Sequence, residues 1–301
     1  MDQHGPAFIP DFIVPVRQMG SREFDFRRQV AVVAIVNRTP NSFHDQGRTY
    51  ELDRAIEAVL QASEEGADWI DIGGLAFRHD QSEIPVREEI ERVVPLVEAA
   101  KAQTDLVISV DTHRTEVARA VLGAGADVIN DTNGLRSEGM AEAIAEAGAT
   151  AVIVHSIGGP RNFIHGPTYE DVVDDVRTFL AQQCLHAIER GVPAERIIID
   201  PGHDLNKNTY HSLEITERLC EITALGYPTF VAVSNKDFIG ETLDVPREKR
   251  LEGTIAANVF CIMHGARMIR VHDVNAGVRT ARMTEALLGF REPINPKHNL
   301  P

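Results

Sequence analysis

The sequence predicts an α/β fold, a TIM-type (β/α)8 barrel with an N-terminal β-hairpin. Three observations predict it. From about residue 29 onward, short β-branched apolar runs alternate with longer stretches whose apolar positions recur at helical spacing. Eight of the short runs are nearly continuous in Val, Ile and Ala, the pattern of parallel strands buried on both faces. No Pro/Ser-rich linker or composition break divides the 301 residues, and barrels of this type commonly occupy about 250 residues as one unit.

Taken in order, residues 1–28 form an extension and hairpin, in which Asp11-Phe-Ile-Val-Pro-Val-Arg17 and Arg22-Glu-Phe-Asp-Phe-Arg27 flank Gln18-Met-Gly-Ser21. This hairpin is expected to close the N-terminal end of the barrel. The barrel occupies residues 29–291, with strands at 29–37, 68–74, 106–112, 127–131, 150–155, 196–202, 229–235 and 268–273. Crossover helices lie between them. Over 52–62, Leu52, Ala55, Ile56, Val59 and Ala62 share a face, and 116–124 behaves alike. Gly66, Gly125, Gly148 and Gly265 each stand just before a strand, where a left-handed residue can end the preceding helix. The Ala-rich stretch 250–266 has two open roles, covering the barrel or packing against a second copy. Residues 292–301, with Pro293, Pro296 and Pro301, form a tail.

Thirty Lys and Arg against 45 Asp and Glu give a formal charge of −15. That balance disfavours nucleic acid and anionic membrane as partners. No run approaches the roughly 20 apolar residues of a membrane span, and the first twenty residues lack the apolar core of a signal peptide. Cys184, Cys220 and Cys261 are widely separated and form neither a disulfide framework nor a CxxC metal site. A cytoplasmic protein is expected.

Active sites of such barrels sit at the C-terminal ends of the strands. Polar residues stand at nearly every one: Asn37; Asp71 with Gly73-Gly74; Asp111; Asn130-Asp131; His155; Asp200; Ser234-Asn235-Lys236; and Arg270, His272 and Asp273. A single Asp or Asn there is commonly a helix cap, but caps do not explain so many. Asp111, Asn130 and Asp200 suit the N–H donors and carbonyl of a flat, nitrogen-rich heterocycle, and Lys236 its carbonyl or ring nitrogen. Arg270 and His272, two residues apart on one strand, point the same way and with Asn37 suit a diphosphate carrying Mg²⁺. Without an HxH, HExxH or Cys/His cluster, any metal is expected to arrive with the substrate.

Seven segments resemble dihydropteroate synthase, in order, from Val30 to about Phe290. They are Ile35-Val-Asn-Arg-Thr-Pro-Asn-Ser-Phe43 with Asp45; Gly66-Ala-Asp-Trp-Ile-Asp-Ile-Gly-Gly74; Ile108-Ser-Val-Asp-Thr-His113; Ala124-Gly-Ala-Asp-Val-Ile-Asn-Asp131; Ile199-Asp-Pro-Gly202 with Lys207; Ser234-Asn-Lys236 with Phe238-Ile-Gly240; and Ile269-Arg-Val-His-Asp-Val274. The resemblance implies condensation of 6-hydroxymethyl-7,8-dihydropterin diphosphate with p-aminobenzoate to dihydropteroate and pyrophosphate. It implies that Asp111, Asn130, Asp200 and Lys236 bind the pterin, and that Asn37 serves the metal. Arg270 and His272 would serve the diphosphate, with Asp45 near the leaving group. Arg78, also retained, and Lys236 join Asp45 as catalytic candidates, and Ser234 as a substrate-binding one. Mg²⁺, a homodimer and sulfonamide- or sulfone-type analogues of p-aminobenzoate are further implications.

The departures from the family pattern fall together. The usual Gly-Gly-Glu-Ser-Thr-Arg-Pro-Gly reads Gly73-Gly-Leu-Ala-Phe-Arg-His-Asp80 here, so Phe77 replaces Thr. Gly-Phe-x-Lys becomes Asp204-Leu-Asn-Lys207, Ser-Arg-Lys becomes Ser234-Asn-Lys236, and Met-His-Met becomes Val154-His-Ser156. The pterin and anion residues are kept while the p-aminobenzoate pocket loses an aromatic wall and a guanidinium. Main-chain N–H groups and a helix N-terminus at Ser234 could still hold the benzoate carboxylate. The expectation is a divergent second paralogue, weakly active or inactive with p-aminobenzoate. The alternatives are a fully active synthase and a folate-binding domain like those of corrinoid-dependent methyltransferases.

Overall fold

A computed structural model of the chain describes residues 7–38, 51–75, 84–160 and 162–298. Strands β1 (Val16–Met19) and β2 (Arg22–Asp25) pair antiparallel around Gly20-Ser21, with Gly20 at φ +55°. This is the expected hairpin. The barrel strands follow as β3 (Ala31–Asn37), β4 (Trp69–Gly73), β5 (Val107–Asp111), β6 (Val128–Asp131), β7 (Thr150–Val154), β8 (Ile197–Asp200), β9 (Phe230–Val231) and β10 (Met268–Val271). All pair parallel in the order β8-β7-β6-β5-β4-β3-β10-β9, and a parallel bridge between Ile199 and Thr229 joins the two ends. The sheet is thus a nearly closed eight-stranded barrel, as the sequence predicts.

Among the described residues there are ten α-helices, of which eight are α1 (Leu52–Glu64), α2 (Val86–Gln103), α3 (Thr115–Gly123), α4 (Met140–Glu146), α5 (Val172–Glu189), α8 (Asp237–Leu243), α9 (Leu251–Met263) and α10 (Val274–Leu287). Between β8 and β9 lie α6 (Thr209–Glu217) and α7 (Leu219–Thr223). Gly66 and Gly265, at φ +90° and +99°, reverse the chain from α1 into β4 and from α9 into β10. No described helix is long and apolar enough to cross a membrane.

Strand pleating sorts side chains into two cores. Val32, Ile70, Ile108, Ile129, Ala151, Ile199, Ile269 and their neighbours face outward and pack under the helices. Val33, Trp69, Val107, Val128, Val152, Ile198, Phe230 and Met268 face inward and meet Phe12, Met19, Phe24 and Phe26 of the hairpin segment. The hairpin therefore plugs the N-terminal end of the barrel. Phe24 stacks on Phe26, and the Arg17 guanidinium, almost fully buried, donates to the carbonyls of Glu195 and Ile197 at the start of β8.

Two local expectations need adjustment. The strand expected over 229–235 is regular only over Phe230–Val231; beyond it Lys236 N–H donates to the Val233 carbonyl and Asn235 takes φ +56°, so the chain turns into α8 early. The strand expected over 196–202 ends at Asp200, because Pro201 has no N–H for the ladder and Gly202 takes φ +68°. The Ala-rich stretch covers the barrel: Cys261 and Ile262 of α9 are buried in the outer core.

Candidate functional site

The inward parity that builds the core also fills the barrel mouth. Above Val33, Val107, Val128 and Met268 on the same strand faces come Asn37, Asp111, Asn130 and Arg270, with Asp71 above Trp69 and Asp200 above Ile198. The outward parity removes three other strand-end residues from the mouth. Asp131 accepts from the N–H groups of Asn133 and Leu135, anchoring its own loop. His155 packs edge-on against Phe179 of α5, and Asp273 caps α10 by accepting from Ala276 N–H.

At the centre lies Asp71, whose side chain is completely buried. Ser109 Oγ donates to its Oδ1 at 2.7 Å, and Asn130 Nδ2 to its Oδ2 at 3.0 Å. Arg270 Nε stands 3.1 Å from the same Oδ2, while Arg270 Nη2 lies 3.9 Å from Asp111 Oδ2. Four strands thus contribute two carboxylates, an amide and a guanidinium to one cluster. Held this way, Asn130 Oδ1 is buried without a hydrogen-bond partner among the described residues. An orphaned acceptor beside carboxylates suits a ligand that brings N–H groups. Burial and the neighbouring Asp71 carboxylate push Asp111 well above the usual carboxylate range, against the opposing pull of Arg270.

On the far side of the mouth, Asp200 Oδ1 accepts from Gly202 N–H at 2.7 Å, and burial raises its carboxyl to about 6. Lys236 Nζ donates to the His203 carbonyl at 3.0 Å, and burial lowers its ammonium pKa. Ser234 Oγ lies 3.0 Å from His272 Nδ1 and accepts from His272 N–H at 3.3 Å, so the serine fixes the imidazole of the neighbouring strand end. Asn37 ends β3 opposite Gly73, and its Oδ1 lies so close that a Cβ on Gly73 would stand 2.5 Å away. Glycine there lets the amide lie across the adjacent strand end. Asp45 and Arg78, with Phe77, fall outside the described residues.

Among the described residues no group of three His, Cys, Asp or Glu side chains could hold a metal. Asn37 and a polyanionic ligand would suffice for a hard cation that brings its own oxygen ligands.

The sequence places Asp71 among the polar strand ends of the mouth but gives it no role; the signal for one is parity, since it stands two residues before Gly73 on the inward face. It did not assign the loops after β7 and β8 to each other. Lys207 Nζ, buried, lies 2.9 Å from His155 Nδ1 and also donates to the carbonyls of Gly202 and Leu205. Burial lowers Lys207 to about 7, and burial together with Lys207 pushes His155 well below its ordinary value. Asn206, at φ +50°, accepts from Ile164 N–H and donates to the Asn162 carbonyl. Asp204, at φ +61°, accepts from Ser212 Oγ and from the N–H groups of Asp237 and Phe238.

Comparison with known proteins matches residues 33–272 to the family described as pterin binding enzyme. A chain of Mycobacterium leprae described as inactive dihydropteroate synthase 2 is 43% identical over 268 residues, 87% of this chain and 92% of that one. Dihydropteroate synthase of Escherichia coli K12 is 37% identical over 261 residues, covering 87% of this chain and 93% of its own. Among solved structures, the dihydropteroate synthase of Yersinia pestis in a sulfonamide drug complex superposes with a TM-score of 0.87 at 33% identity, covering 92% of this chain and all of that one.

Proposed function

The chain belongs to the pterin-binding enzyme family and is dihydropteroate synthase-like, and on that premise we propose that its mouth binds 6-hydroxymethyl-7,8-dihydropterin diphosphate while reacting weakly or not at all with p-aminobenzoate. The observation that carries this reading is the Asp71-centred cluster, which presents Asp111 and the orphaned carbonyl oxygen of Asn130 to a ligand rich in N–H groups. Asp200 and Lys236 complete the pterin side. Arg270 and His272 hold the diphosphate, and Asn37 helps hold the Mg²⁺ that travels with it; bound there, the ion supplies positive charge against the leaving group. Asp45 and Arg78 act from the loops after β3 and β4.

In the reaction of this class, the bond from the pterin methylene to the diphosphate oxygen breaks, pyrophosphate leaves with the electron pair, and an amine nitrogen bonds to the methylene and gives up a proton to water. Arg270 and His272 stabilise the leaving charge. The pterin-side carboxylates Asp111 and Asp200 oppose the positive charge that develops on the ring. This is preorganised electrostatic stabilisation without a covalent enzyme intermediate.

The acceptor side supports poor turnover. Leu205 occupies the place of the aromatic wall and is folded into the barrel interior, and Asn235 brings no cation. Losing a ring wall and misplacing the acceptor would each cost about 1–3 kcal/mol, enough together for several orders of magnitude in rate. As part of the same reading the protein is cytoplasmic and homodimeric. Phe260 of α9 and Met283 and Leu287 of α10, exposed apolar side chains on two adjacent helices, favour the dimer.

Calorimetric titration with the pterin diphosphate and with the pterin lacking phosphate, each with and without Mg²⁺, and pyrophosphate release measured with and without p-aminobenzoate, test the proposal. Binding of the pterin diphosphate with little p-aminobenzoate-dependent release is expected. Robust release that requires p-aminobenzoate would make the chain an ordinary synthase, and pterin binding indifferent to both diphosphate and Mg²⁺ would favour the methyltransferase-like alternative.

A further inference from the structure

Asp204 lies on the loop after β8, yet its carboxylate serves the loop after β9. Oδ2 accepts from Asp237 N–H at 2.7 Å and from Phe238 N–H at 3.3 Å; Oδ1 accepts from Ser212 Oγ at 2.8 Å, and that hydroxyl in turn accepts from Asp204 N–H at 3.1 Å. The residues Asp237 and Phe238 immediately follow Lys236, whose own side chain offers α8 no cap. Both oxygens of Asp204 are thus committed, and the helix N-terminus that the sequence offers to a benzoate carboxylate, which the structure begins at Asp237, is already filled by a carboxylate of the chain itself.

Three further features point the same way. Asp204 holds φ +61°, a left-handed conformation that strains an L residue and suits a glycine, at the position where the family pattern reads Gly. The strain is retained where the hydrogen bonds above repay it. The next residue, Leu205, packs into the barrel interior, so the loop presents no ring wall at the same place. The side chain of Asp237 adds a second carboxylate at this rim, paired at 2.9 Å with Arg250, which also donates to the Asn235 carbonyl.

We propose that Asp204 is the specificity-determining residue on the acceptor side: its carboxylate stands in for that of p-aminobenzoate, so the site accepts a primary arylamine without an anionic group. This rests on the pterin-diphosphate reading given above. An incoming benzoate would have to displace an internal carboxylate from its N–H partners and come to rest beside Asp204 and Asp237. A neutral arylamine meets neither obstacle.

The experiment is calorimetric titration of the full chain, with Mg²⁺ and saturating pterin diphosphate, using p-aminobenzoate and its neutral isostere p-aminobenzamide. The wild-type chain is expected to bind the amide at least tenfold more tightly. Asp204→Gly, which suits the backbone and vacates the two N–H groups, should raise p-aminobenzoate affinity tenfold or more and abolish the preference. Asp204→Asn, whose amide oxygen can still accept from both N–H groups, should recover less than threefold. The ratio of the two ligands within one protein is the readout, because general loosening of the loop lowers both together. Equal wild-type affinities for the two ligands, or no gain of p-aminobenzoate affinity in Asp204→Gly, overturns the inference. Failure of the wild-type chain to bind the pterin diphosphate at all, seen in the preceding titration, overturns the reading of the site and this inference with it.

Discussion

Arg270 Nε lies 3.1 Å from Asp71 Oδ2, joining the last strand of the barrel to the second across the intervening first strand. The pair does not stand alone, since the same carboxylate receives Ser109 and Asn130. Three side chains from three strands are therefore positioned by one buried anion, and the two that face a ligand, Asn130 and Arg270, are aimed by it.

Removing that anion is expected to cost both stability and binding. Asp71→Ala leaves a nearly buried guanidinium without its closest counter-charge and frees Asn130 Nδ2, a loss of about 3–5 kcal/mol on the scale of broken buried ion pairs. Urea denaturation measures the first effect. Titration of the surviving folded protein with a pterin measures the second, which should fall by tenfold or more; a pterin affinity left unchanged would show that Asp71 holds the barrel without aiming the site.

Asp200 gives the site a pH dependence of defined sign. Its carboxyl is raised to about 6 by burial. A pterin N–H prefers the ionised carboxylate, so affinity for a pterin lacking phosphate should be level above about pH 7 and decline by up to about tenfold per unit below 6. Stability runs the opposite way. The folded state holds this proton more tightly than the unfolded chain, so the contribution is fully present below the ordinary value of 3.8 and is lost as pH rises through about 6. Asp200→Asn should remove part of the pH dependence of binding, and Asp111→Asn, whose carboxyl is also raised by burial and by Asp71, a further part. An unchanged profile in both variants would place the titrating group elsewhere.

The barrel and its mouth were legible because one rule, alternation along each strand, carries both. The same period that buries Met268 places Arg270 and His272 together, and the same period on β5 places Asp111 above Val107. Two kinds of feature escaped. Asp71 needed knowledge of which strands are neighbours, since its importance comes from Ser109 and Asn130 on other strands. Asp204, Asn206 and Lys207 needed contacts between loops that no period announces: Asp204 reaches a helix 33 residues onward and Lys207 a histidine 52 residues back. Strand 229–235 was overextended because its apolar residues continue past the point where the main chain turns, and apolar residues at a barrel rim stay buried with or without a ladder.

The plug at the opposite end separates stability from function. Phe24 is 1% exposed and stacks on Phe26 with ring centroids 5.8 Å apart. Phe24→Ala should destabilise by about 3–5 kcal/mol, the range for deleting a buried ring, while leaving pterin affinity of the folded protein within about twofold. Thermal denaturation and titration on the same sample check it, and a parallel collapse of affinity would mean that the hairpin is coupled through the barrel to the mouth.

The Ser234–His272 contact separates the two halves of the ligand. Ser234 is nearly buried, and its Oγ meets both Nδ1 and the main-chain N–H of His272. Fixing Nδ1 in this way directs the other ring nitrogen, so the hydroxyl serves the anion that His272 is proposed to hold and does not touch the pterin-side cluster around Asp71. Ser234→Ala removes one hydrogen bond to an imidazole, worth about 1 kcal/mol, and should weaken the pterin diphosphate about fivefold. The same variant should leave a pterin without phosphate unaffected. Comparing the two ligands by titration decides the matter: equal losses would show that Ser234 supports the whole mouth, whereas a loss confined to the diphosphate assigns it to positioning His272.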